Sequence, residues 1–252
     1  MIEIFILSII QGITEFLPIS SSSHLILVSD YLKFENQNLS IDVSLHIGSF
    51  LAVVLFFRGD IVNFVKNKDL FLKILLSSIP VMIVGFFLVQ YNLIEKLRNI
   101  EIIAWTTIIF GILLFFSDKF KMNRKISKNF NYKSAIFIGF FQILSLIPGV
   151  SRSGITISAA RLLKFNRYDS TKISFLLSIP TLAAVSFFGI KNLLTSGNLN
   201  FSILNLSSIC LSFVFSYITI KFFLKYIKNF NLNLFVFYRI ILGIILLILS
   251  YL

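Results

Sequence analysis

The stretch Gln11-Gly-Ile-Thr-Glu15-Phe-Leu-Pro18-Ile-Ser20-Ser21-Ser22-Ser23-His24 interrupts an apolar run at 4–29, and Pro148-Gly149-Val150-Ser151-Arg152-Ser153-Gly154-Ile155-Thr156 interrupts another at 134–163. Each sets a proline and a polar cluster in the middle of residues that otherwise suit a bilayer. Proline removes a helical donor and clashes with the preceding turn, and the residue before it is biased toward extended backbone. Backbone freed at membrane depth is tolerated only where protein or a water-filled cavity receives it. Both runs are therefore predicted to be broken, re-entrant helical hairpins. If 4–29 crosses instead, the N-terminus changes side and nothing else moves.

Outward from these two passages, six further apolar runs fall at about 43–57, 70–91, 102–117, 171–190, 201–220 and 234–252. A spanning helix needs about 20 apolar residues, and all six suit single crossings, although 43–57 and 102–117 are short. Of the 252 residues, 57% are hydrophobic and 13% charged, whereas soluble domains run at roughly 45–50% apolar and about 25% charged. The mean hydropathy is +0.91. The expected fold class is an all-α polytopic membrane bundle with about six crossings and two re-entrant hairpins, in one domain covering 1–252.

The net charge is +12, from 23 Lys and Arg against 11 Asp and Glu. The basic residues sit in short stretches between apolar runs, as cytoplasmic loops and anionic headgroups require. No basic groove is interleaved with aromatics, so no nucleic-acid partner is expected. Lys119, Lys121, Arg124, Lys125, Lys128 and Lys133 mark 118–133 as cytoplasmic. The same rule sets 58–69, 161–172 and 221–233 inside, and 30–42, 92–101 and 191–200 outside. Asp30, Glu35 and Asp42 against Lys33 suit an outside loop.

Halves 1–117 and 134–252, joined by 118–133, then each hold one hairpin and three crossings. An odd number of crossings inverts the second half, a plan that sets broken helices near the midplane. Glu15-Phe-Leu-Pro18-x-x-Ser21-x-Ser23 is similar to Ser145-Leu-Ile-Pro148-x-x-Ser151-x-Ser153. A second similarity, Ser78-Ile79-Pro80 with Ser178-Ile179-Pro180, joins helices that are not equivalent in this scheme. The single cysteine, Cys210, lies in an apolar run and reads as a small hydrophobe. Met1-Ile2-Glu3 has no basic n-region, so no removable signal peptide is expected.

Polar groups at membrane depth cost roughly 2.5–3.5 kcal/mol each on insertion scales and usually mark function. Gln11 and Glu15, four apart, share one helix face. With His24, Ser151, Arg152, Ser153 and Thr156, the two hairpins supply a carboxylate, an imidazole, a guanidinium and many hydroxyls. That set suits a phosphate. The arginine fork matches phosphate oxygens, and N–H groups around Gly149–Gly154 can form an anion nest. His24 can pass a proton, a neighbouring serine can be a nucleophile, and Glu15 can be either a general base or, with Gln11, a cation ligand. The structural alternative is a buried Glu15–Arg152 ion pair with the serines as helix caps. His46, four residues after Asp42, is expected to play a supporting role. Arg58, Arg167 and Arg239 are expected to snorkel to headgroups.

These residues carry a resemblance. Gln11-Gly-Ile-Thr-Glu15, continuing through Phe16-Leu17-Pro18-Ile19-Ser20-Ser21 to His24, resembles the first motif of the undecaprenyl-diphosphatase family of bacterial membrane enzymes, also known for bacitracin resistance. Pro148 to Thr156 matches that family's Pro-Gly-x-Ser-Arg-Ser-x-x-Thr motif in full. Similar stretches at Leu45–Gly48, Ser174–Pro180 and Tyr238–Gly243 extend the likeness along the chain. There are two departures. Gln11 takes the amide option where many relatives have a second carboxylate, which leaves Glu15 as the main ligand of any metal. Ser22-Ser23 replaces a usual Thr-Gly.

The resemblance implies hydrolysis of undecaprenyl diphosphate to the monophosphate, the carrier lipid of cell-wall synthesis, in the bacterial plasma membrane. It implies a divalent cation, magnesium or calcium, at Glu15 and Gln11, and a site opening to the outer face. Its functional positions fall on Gln11, Glu15, Ser20, Ser21, His24, Ser151, Arg152 and Thr156, with Gly149 and Ser153 beside them as further substrate-binding positions. Ser21 then attacks the terminal phosphorus while His24 or Glu15 takes its proton; attack by water or by His24 fits equally well. The alternative is a polyprenyl-phosphate flippase using the same midplane site. Expected partners are a polyprenyl diphosphate and membrane lipids, with a homo-oligomer left open.

Overall fold

The computed structural model describes residues 1–34, 38–66, 68–91, 93, 97–119, 123–195 and 202–251. Glu35, Lys121 and parts of the loops 92–101 and 191–200 lie outside the described residues.

The first interrupted run folds as α1 (Ile2–Thr14) and α2 (Ser21–Leu32). The second folds as α8 (Tyr132–Ile143), one 3-10 turn and α9 (Arg152–Leu162), the break falling at the proline as the sequence requires. Between them come α3 (Leu39–Phe56), α4 (Arg58–Lys66), α5 (Lys68–Gln90), α6 (Ile100–Lys119) and the short α7 (Ile126–Asn129). After them come α10 (Arg167–Thr195), α11 (Ile203–Asn229) and α12 (Asn233–Tyr251).

Among the described residues, α3, α5, α6, α10, α11 and α12 are the six helices long and apolar enough to span a bilayer, and they match the six expected runs. The short run 43–57 gains its length at the start. The Asn38 side chain accepts from Ile41 N at 3.0 Å, so the polar residues before the run join α3 as its first turn. Cys210 is exposed on the apolar helix α11.

Both hairpins return to the end they leave. Ile4, near the start of α1, and Phe34, after α2, share one apolar cluster with Ile41 and Leu204. On the other hairpin, the rings of Phe130 and Phe165 meet edge to face at 6.1 Å. The run 4–29 thus folds as a hairpin whose two arms pack on each other. The stretches assigned inside by charge also meet at one end. Lys172 pairs with Asp60 at 2.7 Å, Arg161 and Arg167 converge on Asp118 at 3.1 and 2.8 Å, and Leu232 N donates to the same carboxylate at 3.1 Å.

Exchanging the two halves maps several of the principal contacts onto one another, although α9 packs on α6 and α10 more extensively than α2 does on α12 and α3. α1 packs on α11 as α8 packs on α5; α1 packs on α2 as α8 packs on α9; α3 packs on α11 as α10 packs on α5. The pairs α3–α10 and α6–α12 are their own counterparts. With three candidate crossings between the hairpins, this correspondence is the one expected of an inverted repeat. Pro80 and Pro180 lie on α5 and α10, which touch without being equivalent.

Three arginines depart from expectation. Arg161 is 3% exposed at the end of α9 rather than in a loop. Arg167 is half-exposed and holds Asp118 rather than a headgroup. Arg239 does not snorkel: it is 0% exposed, and its Nε donates to the carbonyl of Thr107 at 3.2 Å, Nη1 to that of Pro18 at 3.2 Å and Nη2 to that of Gly149 at 2.8 Å. Counting from the helix end set it at a membrane edge, but both breaks are folded in against it. One guanidinium thereby ties both hairpin breaks to α6. Arg239→Lys keeps the charge but cannot span three carbonyls. It is expected to lower stability in detergent by about 2–4 kcal/mol, read as a lower unfolding temperature; wild-type unfolding would contradict the tie.

Candidate active site

Each hairpin turns back through a serine of unusual backbone. Ser20 caps α2 with φ 74° and ψ 98°, and Ser151 caps α9 with φ 71° and ψ 115°. Positive φ on a residue with a Cβ is strained by about 1–3 kcal/mol, so the surroundings must enforce it. At the first tip, His24 Nδ1 donates to the Ser20 carbonyl at 2.6 Å and the Ser20 and Ser23 hydroxyls meet at 3.0 Å. At the second, Gly154 N donates to Ser151 Oγ at 3.1 Å. Gly149 has φ +90°, and a Cβ there would strike Thr106 Oγ1 and the Ile103 carbonyl. Ser153 Oγ donates to the Leu17 carbonyl at 2.7 Å, joining the second tip to the first break. The matched caps make Ser20 equivalent to Ser151 and Ser21 to Arg152, one residue off the register of the motif similarity.

Between the tips lies a cavity of about 200 Å³ lined by Thr14, Glu15, Ser20, Ser21, Ser22, His46, Gln142, Ser145, Ser151 and Arg152, with an apolar wall of Val81, Leu146, Leu182 and Val185 beside Thr181. Glu15 is its centre. Oε1 accepts from Arg152 Nη2 at 2.8 Å, while Oε2 accepts from Ser21 Oγ at 2.5 Å and from Gln11 Nε2 at 3.2 Å. Arg152 Nη1 is buried with no partner. The first turns of α2 and α9 both reach the cavity wall, and helix N-termini favour an anion.

The hairpins thus bring Glu15, Ser20, Ser21, Ser151 and Arg152 together. Gln11 lies behind Glu15 and touches Ser49 at 3.4 Å. Ser153, Thr156 and Gly149 do not line the cavity: Thr156 Oγ1 donates to Ser174 Oγ at 2.7 Å on α10, and Gly149 offers its carbonyl to Arg239. His24 is also absent from the wall. Its Nδ1–H is committed to Ser20, and its Nε2 faces Tyr238 Oη at 2.5 Å with the rings stacked. The imidazole at the cavity is His46. Its Nδ1 donates to the Asp42 carbonyl at 2.7 Å, which fixes the ring at the cavity wall. Sequence reasoning passed over Gln142, a polar residue inside an apolar run; its depth there was the available signal.

The donor set offers a cation one carboxylate and one free amide oxygen. Both oxygens of Glu15 have partners; Gln11 turns its amide N–H toward that carboxylate and keeps a buried Oε1 without a partner; and among the described residues no three of His, Cys, Asp and Glu come together. A hard divalent ion wants several oxygen ligands.

Apolar spans around two broken helical hairpins, with a serine, a carboxylate and an arginine meeting at the tips, define a multi-pass membrane enzyme built to act on an anionic group. The comparisons give the family. Residues 4–245 match the family described as "Bacitracin resistance protein BacA", and the chain belongs to it. It is 54% identical over 252 residues to the "Undecaprenyl-diphosphatase" of Pelagibacter ubique (strain HTCC1062), covering 99% of this chain and 98% of that one. It is 41% identical over 255 residues to the "Undecaprenyl-diphosphatase" of Aliivibrio salmonicida (strain LFI1238), covering 96% and 95%. The same figure holds over 250 residues for that of Saccharophagus degradans, covering 94% and 93%.

The tip geometry makes a labelling prediction. Ser22 is exposed at the cavity and Ser23 is 0% exposed behind it. In a Cys210→Ser background, Ser22→Cys is expected to react with a water-soluble maleimide and to be protected by a polyprenyl diphosphate. Ser23→Cys should stay unlabelled until the protein unfolds, and equal labelling of the two would contradict this tip.

Proposed function

We infer that this chain hydrolyses undecaprenyl diphosphate, giving undecaprenyl phosphate and inorganic phosphate and so recycling a carrier lipid of cell-wall synthesis. The observation that carries the reading is Ser21 Oγ at 2.5 Å from Glu15 Oε2, at the edge of a cavity whose other wall is Arg152. A binding site for transport has no need of a hydroxyl hydrogen-bonded to a buried carboxylate; a nucleophile and its base do.

The lipid tail lies along the apolar side of the cavity, toward Val81, Leu182 and Val185. The terminal phosphoryl group sits between the helix N-termini and Arg152, whose planar fork suits its oxygens. Ser21 Oγ attacks the terminal phosphorus as its proton passes to Glu15. The bond to the bridging oxygen breaks, and the lipid monophosphate leaves with that electron pair. Water then attacks the phosphorus of the phosphoserine as its proton passes to His46; the Ser21 Oγ–phosphorus bond breaks, and Oγ takes back the proton held by Glu15 as phosphate departs. His24 fits a positioning role, since both ring nitrogens are already engaged. Any divalent cation fits better as a companion of the diphosphate than as a ligand of Gln11.

Depth supports an opening on the outer side. His46 is seven residues from the start of α3, about 10 Å at the helical rise. That end of α3 lies with the end of α2 and the start of α11, opposite the basic loops. We assign the protein to the bacterial plasma membrane with the site facing out.

In purified protein, Ser21→Ala and Glu15→Gln are each expected to lower kcat by about 10²–10⁴-fold, and Arg152→Lys by about 10²–10³-fold. His24→Ala should keep a higher residual rate than Ser21→Ala. Phosphate release from a polyprenyl diphosphate is the measurement, and near-normal turnover in Ser21→Ala would remove the serine mechanism.

A further inference from the structure

Gln142 is 0% exposed in α8, and neither its Nε2 nor its Oε1 has a partner. A primary amide has two donors and an acceptor oxygen, and buried groups of this kind are nearly always hydrogen-bonded. Leaving a whole amide unsatisfied at membrane depth is unfavourable, so it calls for a ligand. Gln142 lines the cavity, as does Arg152, whose Nη1 is also buried without a partner. Both residues border one cavity, and among the described residues neither the amide nor Nη1 has a partner.

The inverted repeat explains how this arises. Gln11 precedes its cap Ser20 by nine residues, and Gln142 precedes its cap Ser151 by the same nine (20 − 11 = 151 − 142). The two glutamines are thus equivalent. In the first hairpin the residue four further on is Glu15, and the Gln11 amide donates to it. In the second hairpin that place is held by Leu146, also on the cavity wall. The second amide has kept its position and has no internal acceptor. Its N–H groups remain for whatever fills the cavity.

We propose that Gln142 is a substrate-contacting residue, which forms with the unpartnered Nη1 of Arg152 a seat for the terminal phosphoryl group. Nε2 donates to a non-bridging oxygen, and Oε1 accepts from a protonated phosphate oxygen. The same seat holds inorganic phosphate before it leaves. The proposal rests on the phosphatase reading for the lipid substrate, while its phosphate arm stands without turnover.

The test uses the purified full-length protein in detergent, with inorganic phosphate and a polyprenyl diphosphate as probes. Wild type is expected to unfold at a higher temperature in phosphate. Gln142→Leu, close in volume and apolar, removes both unpartnered groups. Without phosphate it should unfold no earlier than wild type, but it should lose the phosphate-induced rise. Its KM for the lipid should increase about tenfold or more, and inhibition by phosphate should weaken in parallel. Gln142→Glu keeps the shape and sets a negative charge against the phosphoryl group. It should lose the phosphate effect as well, which covers the case where the leucine variant folds poorly. A wild type that phosphate does not stabilise, or variants that keep both the phosphate rise and a KM within twofold of wild type, would overturn the seat. If wild type binds phosphate through Gln142 yet releases none from the lipid, the phosphatase reading fails and the seat stands.

Discussion

The site depends on one buried guanidinium. Arg239 carries a charge at a depth where isolated charges are costly, and its protein partners are three backbone carbonyls rather than a carboxylate. Two of them belong to residues at the proline breaks, where the helical ladder is interrupted and a carbonyl can lose its internal donor. Interruption of the helices and burial of the arginine are thus complementary: each satisfies what the other leaves open. The residual positive charge lies beside both tips. Arg152 is neutralised by Glu15, so Arg239 leaves the tip region net positive, which favours an anion over a neutral headgroup.

The two tips share a backbone plan and divide the chemistry. Ser20 and Ser151 adopt nearly the same strained cap, so the residue that follows each is aimed at the same cavity. In the first hairpin that residue is Ser21, within reach of the carboxylate; in the second it is Arg152. Four residues after the matched glutamines stand Glu15 and Leu146. One tip therefore carries a hydroxyl held by a carboxylate, and the other carries a guanidinium with a free donor. Repeats with identical tips would put like groups face to face, and two buried carboxylates at this separation would disfavour each other's ionisation.

Most of the architecture was legible because it rests on local rules. A proline inside an apolar run has few structural outcomes, and lysine-rich links sort the ends of crossings. Pro18 and Pro148 marked both breaks, and the residues around them held Glu15, Ser21 and Arg152. What could not be read was direction across the bundle. Arg239 is six residues from the start of α12 and looked like an edge residue, because nothing in the chain says that the breaks fold in beside it. His24 and His46 are both four residues after a carbonyl they bind. Only packing decides that one ring meets Tyr238 and the other the cavity. The motif similarity was right in kind but one residue out of register, since the caps, not the prolines, are the equivalent points.

Strained tips need rigid arms, and the packing supplies them by the same symmetry. A Cβ on Gly12 would collide with Phe215 and the Ser216 backbone on α11, and one on Gly139 would collide with the Ser77 backbone on α5. The first arm of each hairpin thus lies almost backbone to backbone against its crossing. Between helices in lipid there is little hydrophobic drive, and close contact of small residues with interhelical hydrogen bonds takes its place. Ser49 meets Ser212 at 3.2 Å and Ser216 at 3.0 Å, while Ser77 donates to the Ala135 carbonyl at 2.9 Å. Ser49 also touches Gln11, so the seam that fixes α1 continues through one amide to Glu15. A wider side chain at Gly12 would push α1 from α11, and Glu15 stands at the end of that arm. Packing along α1 and α11 thereby bears on the placement of Glu15 against Ser21.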